Sequence, residues 1–148
     1  MGYTYKLEAL LTFRRNLEEQ SQQLLARELL LLENHKHKLQ ELKDARTQLI
    51  ADFEERKKMT MTSYFFSFYM DGISNKEREV IRQERVIQAQ AKVFELARLK
   101  LLEKVKSRKV IEKAREKDYS RYLKELLSKE QKEGDEAVLL RYGRKGHA

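Results

Sequence analysis

"TSYFFSFYMDGISNKE" occupies residues 62–77 and sets five aromatic side chains, Tyr64, Phe65, Phe66, Phe68 and Tyr69, within six positions just ahead of Gly72. The rest of the chain makes that glycine stand out. Of 148 residues 38% are charged, none is proline and five are glycine, and Gly72 is the sole glycine between Tyr3 and Glu133. Leu, Lys, Glu, Gln, Arg and Ala dominate the composition, and such side chains lose little rotamer freedom in a helix. The sequence therefore predicts an all-α fold: a long antiparallel two-helix coiled coil, or α-hairpin, with the turn at Gly72.

Glycine can close a helix C-terminus in the left-handed conformation. After it, Ser74-Asn75-Lys76-Glu77 has the form of a capping box, with Ser74 at the N-cap and Glu77 at N3. The expected organisation is a single elongated domain over 1–148, with a first helix at about 4–70, the turn at 71–74, a second helix at about 75–141 and a frayed tail at 142–148. Arms of equal length bring residue i opposite about residue 146 minus i. That rule sets Phe53 beside Val93 and Phe94, and Leu24 beside Tyr122. It also brings the two chain ends together at the end far from Gly72.

Heptad spacing marks a seam on the first arm through Leu7, Leu10, Arg14, Leu17, Ser21, Leu24, Glu28, Leu32, His35, Leu39, Leu42, Arg46, Leu49 and Phe53. The four-plus-four step from Leu24 to Glu28 to Leu32 reads as a stutter that relaxes the supercoil. On the second arm Ile87, Ala91, Phe94, Arg98, Leu101 and Val105 keep the rhythm, and Tyr119, Tyr122 and Leu126 rejoin it. Between Lys106 and Asp118 the register is open.

On a helix the five clustered aromatics point nearly all the way round, so one partner arm covers only part of the set. Each offers about 150–250 Å² of surface. Phe53, Tyr64, Phe65, Phe68 and Tyr69 are accordingly candidates for a partner-binding tip or flank. The alternative is a knot that closes the tip on Ile73, Val80 and Ile81.

The net charge of +8 belongs to the second half: residues 1–72 hold 11 basic and 11 acidic side chains, residues 73–148 hold 21 and 13. Residues 98–117 form a basic stripe that includes Arg98, Lys106, Arg108, Lys109, Lys113 and Arg115. Such a stripe attracts phosphates or acidic protein surfaces. It can equally be a solvated face whose Glu/Lys pairs support the helix.

Catalytic chemistry finds no footing. His35 and His37 point to different helix faces, and His147 stands alone, so no metal site is expected. Neither a phosphate-binding GxxxxGK[ST] loop nor HExxH is present, and no cofactor is expected. Adjacent acids such as Glu54 and Glu55 diverge around a helix instead of facing each other. The longest aliphatic run, Leu29–Leu32, is far short of the ~20 residues a membrane-spanning helix needs. The opening residues lack a signal-peptide core, and there is no cysteine. The expectation is a non-enzymatic, cytoplasmic protein without membrane insertion.

The opening "YKLEALLTFRRNLEEQ", the "GIS" at 72–74, the closing "EQKEGDEAVLLRYGR" and the basic "ARLKLLEKVKSRKVIEKAREKDYSRYLKELL" between them resemble the FliJ family of flagellar export proteins, which is related to the stalk components of injectisome secretion systems. The resemblance implies an antiparallel coiled coil similar to the shaft of rotary ATP synthases. It implies a stalk in the pore of a hexameric export ATPase, peripheral to the inner-membrane export apparatus. It further implies contact with the cytoplasmic domain of the export-gate membrane protein and with export chaperones. Carried over by position, Leu7, Leu10, Arg14, Leu17, Asp135, Glu136, Leu140 and Arg141 would face the ATPase. Two other classes stay open: a basic coiled coil that binds nucleic acid or an acidic partner, and a generic coiled-coil scaffold. Nucleic acid is disfavoured, because the aromatics are not interleaved with the stripe as stacking platforms would be.

Overall fold

The computed structural model describes the backbone of residues 2–146. Two helices account for nearly all of it: α1, Glu8–Lys57, and α2, Ser63–Gly146. Straight-chain residues favour both helices, and α1 carries Glu8 in its first turn and Arg56 and Lys57 in its last, charges that complement the helix dipole. The expected antiparallel hairpin is present.

Its turn is elsewhere. The chain reverses over residues 58–62, where Lys58 and Met59 donate their amides to the carbonyls of Glu55 and Arg56 (3.3 and 3.1 Å) and tighten the end of α1. Thr62 then caps α2: its hydroxyl accepts from the Phe65 amide at 3.3 Å, and its carbonyl accepts from the Phe66 amide at 3.0 Å. A threonine N-cap satisfies donors that the first helical turn leaves free. Gly72 and the segment Ser74 to Glu77 lie inside α2. No described glycine has positive φ.

What Gly72 supplies is proximity. A Cβ built on it would stand 3.0 Å from the Leu49 Cδ2 methyl, so α1 and α2 approach more closely there than an alanine would comfortably permit. The expected bounds of 4–70 and 75–141 are therefore replaced by arms of 50 and 84 residues. The expected frayed tail is helical through Gly146; residues 147 and 148 lie outside the described residues.

The chain divides into two units, a hairpin unit of Gln20–Leu102 and a terminal unit of Met1–Glu19 with Glu103–Ala148. In the hairpin unit, α1 covers Ser21, Leu25, Glu28, Leu32, His35, Leu39, Leu42, Arg46, Leu49 and Phe53, each half-buried or buried. The α2 counterpart is Tyr69, Ile73, Lys76, Val80, Gln83, Ile87, Gln90, Phe94, Ala97 and Leu101. Both series alternate steps of three and four, the coiled-coil period. Partner numbers add to between 118 and 122, as in Glu28–Gln90, His35–Gln83 and Phe53–Tyr69. The expected sum of 146 fails because the turn sits about a dozen residues earlier than Gly72. Phe53 accordingly meets Phe66 and Tyr69 in place of Val93 and Phe94.

In the terminal unit the covered series are Leu11, Arg14 and Glu18 on α1 and Lys104, Arg108, Ile111, Arg115, Asp118 and Tyr122 on α2. Leu11, fully buried, forms a small core with Tyr5 and Ile111, and Tyr3 packs against it. Tyr3 and Tyr5 precede α1, and their rings anchor the start of the chain on α2.

Along α1 the covered line runs through Glu18 and Leu25, so its steps stay three and four throughout and the expected stutter at Glu28 disappears. On α2 the covered positions are Gln90 and Ala97; Ala91 and Arg98 are exposed.

Candidate functional site

The seam is unusually polar, and several of its polar groups are matched across it, although Arg14 Nε is buried without a hydrogen-bond partner. Gln90 donates from Nε2 to the Glu28 carbonyl oxygen at 3.1 Å and to the Glu28 carboxylate. One heptad away, the Gln83 amide donates to the His35 carbonyl oxygen at 3.0 Å, with His35 Nδ1 at 3.4 Å. In the terminal unit Arg108 bonds Glu18 through Nε and NH2 and Glu112 through NH1 (2.8 Å), while Arg15 reaches Glu112 at 3.4 Å. Hydrogen bonding from Arg108, reinforced by Arg15, holds the Glu112 carboxyl below the usual carboxylate range. Half-burial of the Tyr3 phenol and its 2.9 Å hydrogen bond to Asp118 push its pKa up to about 12.

These contacts divide the basic stripe. Arg108 belongs to the seam, Arg115 lies 3.4 Å from Glu8, and Arg98 is held by Glu95 at 2.6 Å. Lys106, Lys109 and Lys113 are exposed, with no ion pair. The stripe is thus two surfaces: arginines that face the partner helix or a neighbouring acid, and lysines that face away.

The aromatic cluster is divided too. Phe53 and Tyr69 are buried, with ring centroids 5.7 Å apart, and Phe66 rests on Phe53 at 5.9 Å. Tyr64, Phe65 and Phe68 stay exposed, as does Met59 at 78%. Knot and exposed surface therefore coexist. The knot closes on Phe53 of α1, and Ile81 remains exposed. Arg56, Met59, Thr60, Met61 and Phe65 line a small cleft of about 130 Å³ beside the turn.

The residues expected at the ATPase end are not brought together. Leu7 and Leu10 are exposed, Arg14 and Leu17 are half-buried, and their stretch of α1 lies against the part of α2 that holds Ile111, Glu112 and Arg115. Asp135, Glu136, Leu140 and Arg141 belong to a stretch, residues 123–143, in which every residue is exposed. Leu139 and Leu140 are 70% and 67% exposed. Sequence reasoning missed Leu11, Tyr5 and Ile111, and also the salt-bridged pair Glu18 and Arg108. The signal for the last two was present as a covered glutamate and a covered arginine at heptad positions, each of which looks like a defect until paired.

Among the described residues no group of three or more His, Cys, Asp or Glu side chains could hold a metal ion. No helix of the described residues is long and apolar enough to cross a membrane. A cleft of about 430 Å³ in the terminal unit is lined by Tyr3, Arg15, Glu112, Arg115, Glu116 and Tyr119. Arg15 and Glu112 there already pair with each other, and Arg115 with Glu8. The site is built of helix faces that can meet another surface.

No curated protein matches the chain. A solved structure of a YscO homolog, CT670 from Chlamydia trachomatis, is similar in fold, with a TM-score of 0.73, 22% identity and coverage of 99% of each chain. A family model described as flagellar FliJ protein matches residues 3–147, which takes in α1, the turn and α2 together, and the chain belongs to that family.

Proposed function

We propose that this protein is a non-enzymatic stalk and adaptor of the flagellar type III export apparatus, peripheral to the inner membrane and engaged with the export ATPase hexamer. Membership of the FliJ family supports a stalk-like role in type III export. The observation that carries the finer reading is the bare end of α2. Residues 123–143 form about 30 Å of helix at 1.5 Å per residue with every side chain exposed, among them Leu139 and Leu140. A helix that long and uncovered is suited to insertion into a ring. In this reading Asp135, Glu136, Leu140 and Arg141 meet the ATPase, whereas Leu11, Arg14 and Leu17 serve the packing of the terminal unit. The exposed Tyr64, Phe65 and Phe68 near the turn are offered to the export gate or to chaperones, large apolar faces being common partner surfaces.

The test is to mix the purified chain with the cognate export ATPase and measure ATP turnover and ring formation. Both should rise. The L139K/L140K variant, altered only at exposed positions, should lose about tenfold or more of the stimulation at an unchanged helix content, in line with the loss of two interface anchors. An unchanged turnover with the parent chain would overturn the assignment.

A further inference from the structure

The covered line of α2 in the terminal unit runs through Arg108, Ile111, Arg115, Asp118 and Tyr122. On the opposite side of the same helix stand Lys106, Lys109, Lys113, Lys117, Arg121 and Lys124, three or four residues apart and all exposed. Steps of three and four keep side chains on one face. The other residues on that face are Val110 and Ser120. Glu112 is turned to Arg108 and Arg15, and no acid lies between these six cations along their line. None of the six has an ion pair, whereas Arg108, Arg115 and Arg98 all do. In this stretch the ion-paired acids are held by arginines, the exposed Glu116 borders the six cations without an ion pair, and their rail runs for about 27 Å at 1.5 Å of rise per residue.

We propose that this rail is a docking surface for an anionic lipid bilayer, held parallel to the membrane by diffuse electrostatic attraction. The inference goes beyond the export-stalk reading and does not rest on it. Three features choose the occupant. The charges lie along one side of one helix, so a flat anionic surface meets all six at once, while a duplex, whose phosphate ridges wind, meets a straight convex rail at only a few crossings. Five of the six are lysines, compact point charges; planar, bidentate phosphate recognition calls for arginine. The rail contains no aromatic residue on which an unpaired base could stack, but Val110, 67% exposed, stands among the lysine stems. Clusters of four to eight basic residues on a helix face are the size that binds anionic headgroups.

The experiment is co-sedimentation of the full chain with vesicles of phosphatidylglycerol and phosphatidylcholine, against vesicles of phosphatidylcholine alone. Binding is expected to the anionic vesicles only, and to weaken as salt rises from about 0.1 M to about 0.5 M, where the Debye length falls about twofold. The K109Q/K113Q/K117Q variant should bind about a hundredfold more weakly, at roughly a factor of five for each charge removed near the surface. A variant with equal charge loss elsewhere, K36Q/K92Q/K129Q, should bind as the parent does. Circular dichroism should be unchanged in both, since all six positions are exposed. The proposal is overturned if neutral vesicles bind equally well, if the two variants behave alike, or if duplex DNA competes the chain off the vesicles at stoichiometric amounts.

Discussion

From Tyr69 to Tyr122, α2 is covered at every third or fourth residue; from Leu123 to Gly143 it is covered nowhere. The two stretches have similar chemistry, with leucines, lysines and glutamates in both. What separates them is what lies opposite. The turn at 58–62 gives α1 only 50 residues, so the last part of an 84-residue α2 has no helix across from it. Exposure of a leucine in this chain is therefore decided by the position of the turn, more than by the leucine's own surroundings in the sequence.

The largest effect should come from contrasting Leu11, on α1 in the paired part of the terminal unit, with a leucine of the bare end of α2. Leu11 is fully buried and Leu140 is 67% exposed. Leu11→Ala should cost about 3 kcal/mol, the lost transfer energy plus the cavity left behind. Leu140→Ala should cost about 0.5 kcal/mol or less, as exposed substitutions do. Urea unfolding followed by circular dichroism reads both; equal costs would mean that residues 123–143 are covered after all.

A smaller effect tests the matched charges of the covered stretch. Arg108→Ala strands Glu18, whose side chain is 11% exposed, and should cost about 2 kcal/mol, somewhat below the range for a fully buried pair. Replacing both by leucine should restore most of that loss, because an apolar pair avoids the desolvation of two ions. If the double variant is as unstable as the single one, Arg108 stabilises the unit through Glu112 instead.

The smallest effect is one of pH. A Tyr3 pKa of about 12 in the fold, above the ~10 of a free phenol, means that the neutral form is the one the fold favours. This contribution is complete below pH ~10 and disappears as pH rises from there through 12. The difference in unfolding midpoint between the parent and Tyr3→Phe should therefore be constant up to pH ~9.5 and shrink at higher pH. A difference that does not change with pH would show that Asp118 and burial do not act on the phenol.

The helical class, the hairpin and the α1 seam from Glu28 to Phe53 could all be read from spacing, because leucine recurs there often enough to mark one face. The turn could not. A glycine followed by a serine and a glutamate carries all the outward signs of a reversal, whereas the true one uses threonines and no glycine or proline at all. Thr62, set in a run of threonines and aromatics with no glycine or proline, gives a capping signal too faint to outweigh Gly72. On α2 the expected Ile87, Phe94 and Leu101 are covered, and the positions between them were missed for a different reason. Gln83, Gln90 and Arg108 occupy covered positions and look like surface residues until their partners across the hairpin are known, so the eye moves to Ala91 and Arg98 one position along. The same limit applied to the basic stripe: only geometry separates its paired arginines from its free lysines.

Thr62 starts α2 firmly, but nothing comparable supports the helix beyond Tyr122. Most helical stability in proteins comes from packing of a covered face, which this stretch lacks, and Gly134 in its middle weakens it by about 1 kcal/mol relative to alanine. Residues 123–143 must therefore inherit their order from the turns before them, and helix–coil relaxation of such a stretch takes up to about a microsecond. Amide protons there should exchange with deuterium far sooner than those of the paired helix, and a binding partner that clasped this segment would lengthen their lifetimes from the tip inward.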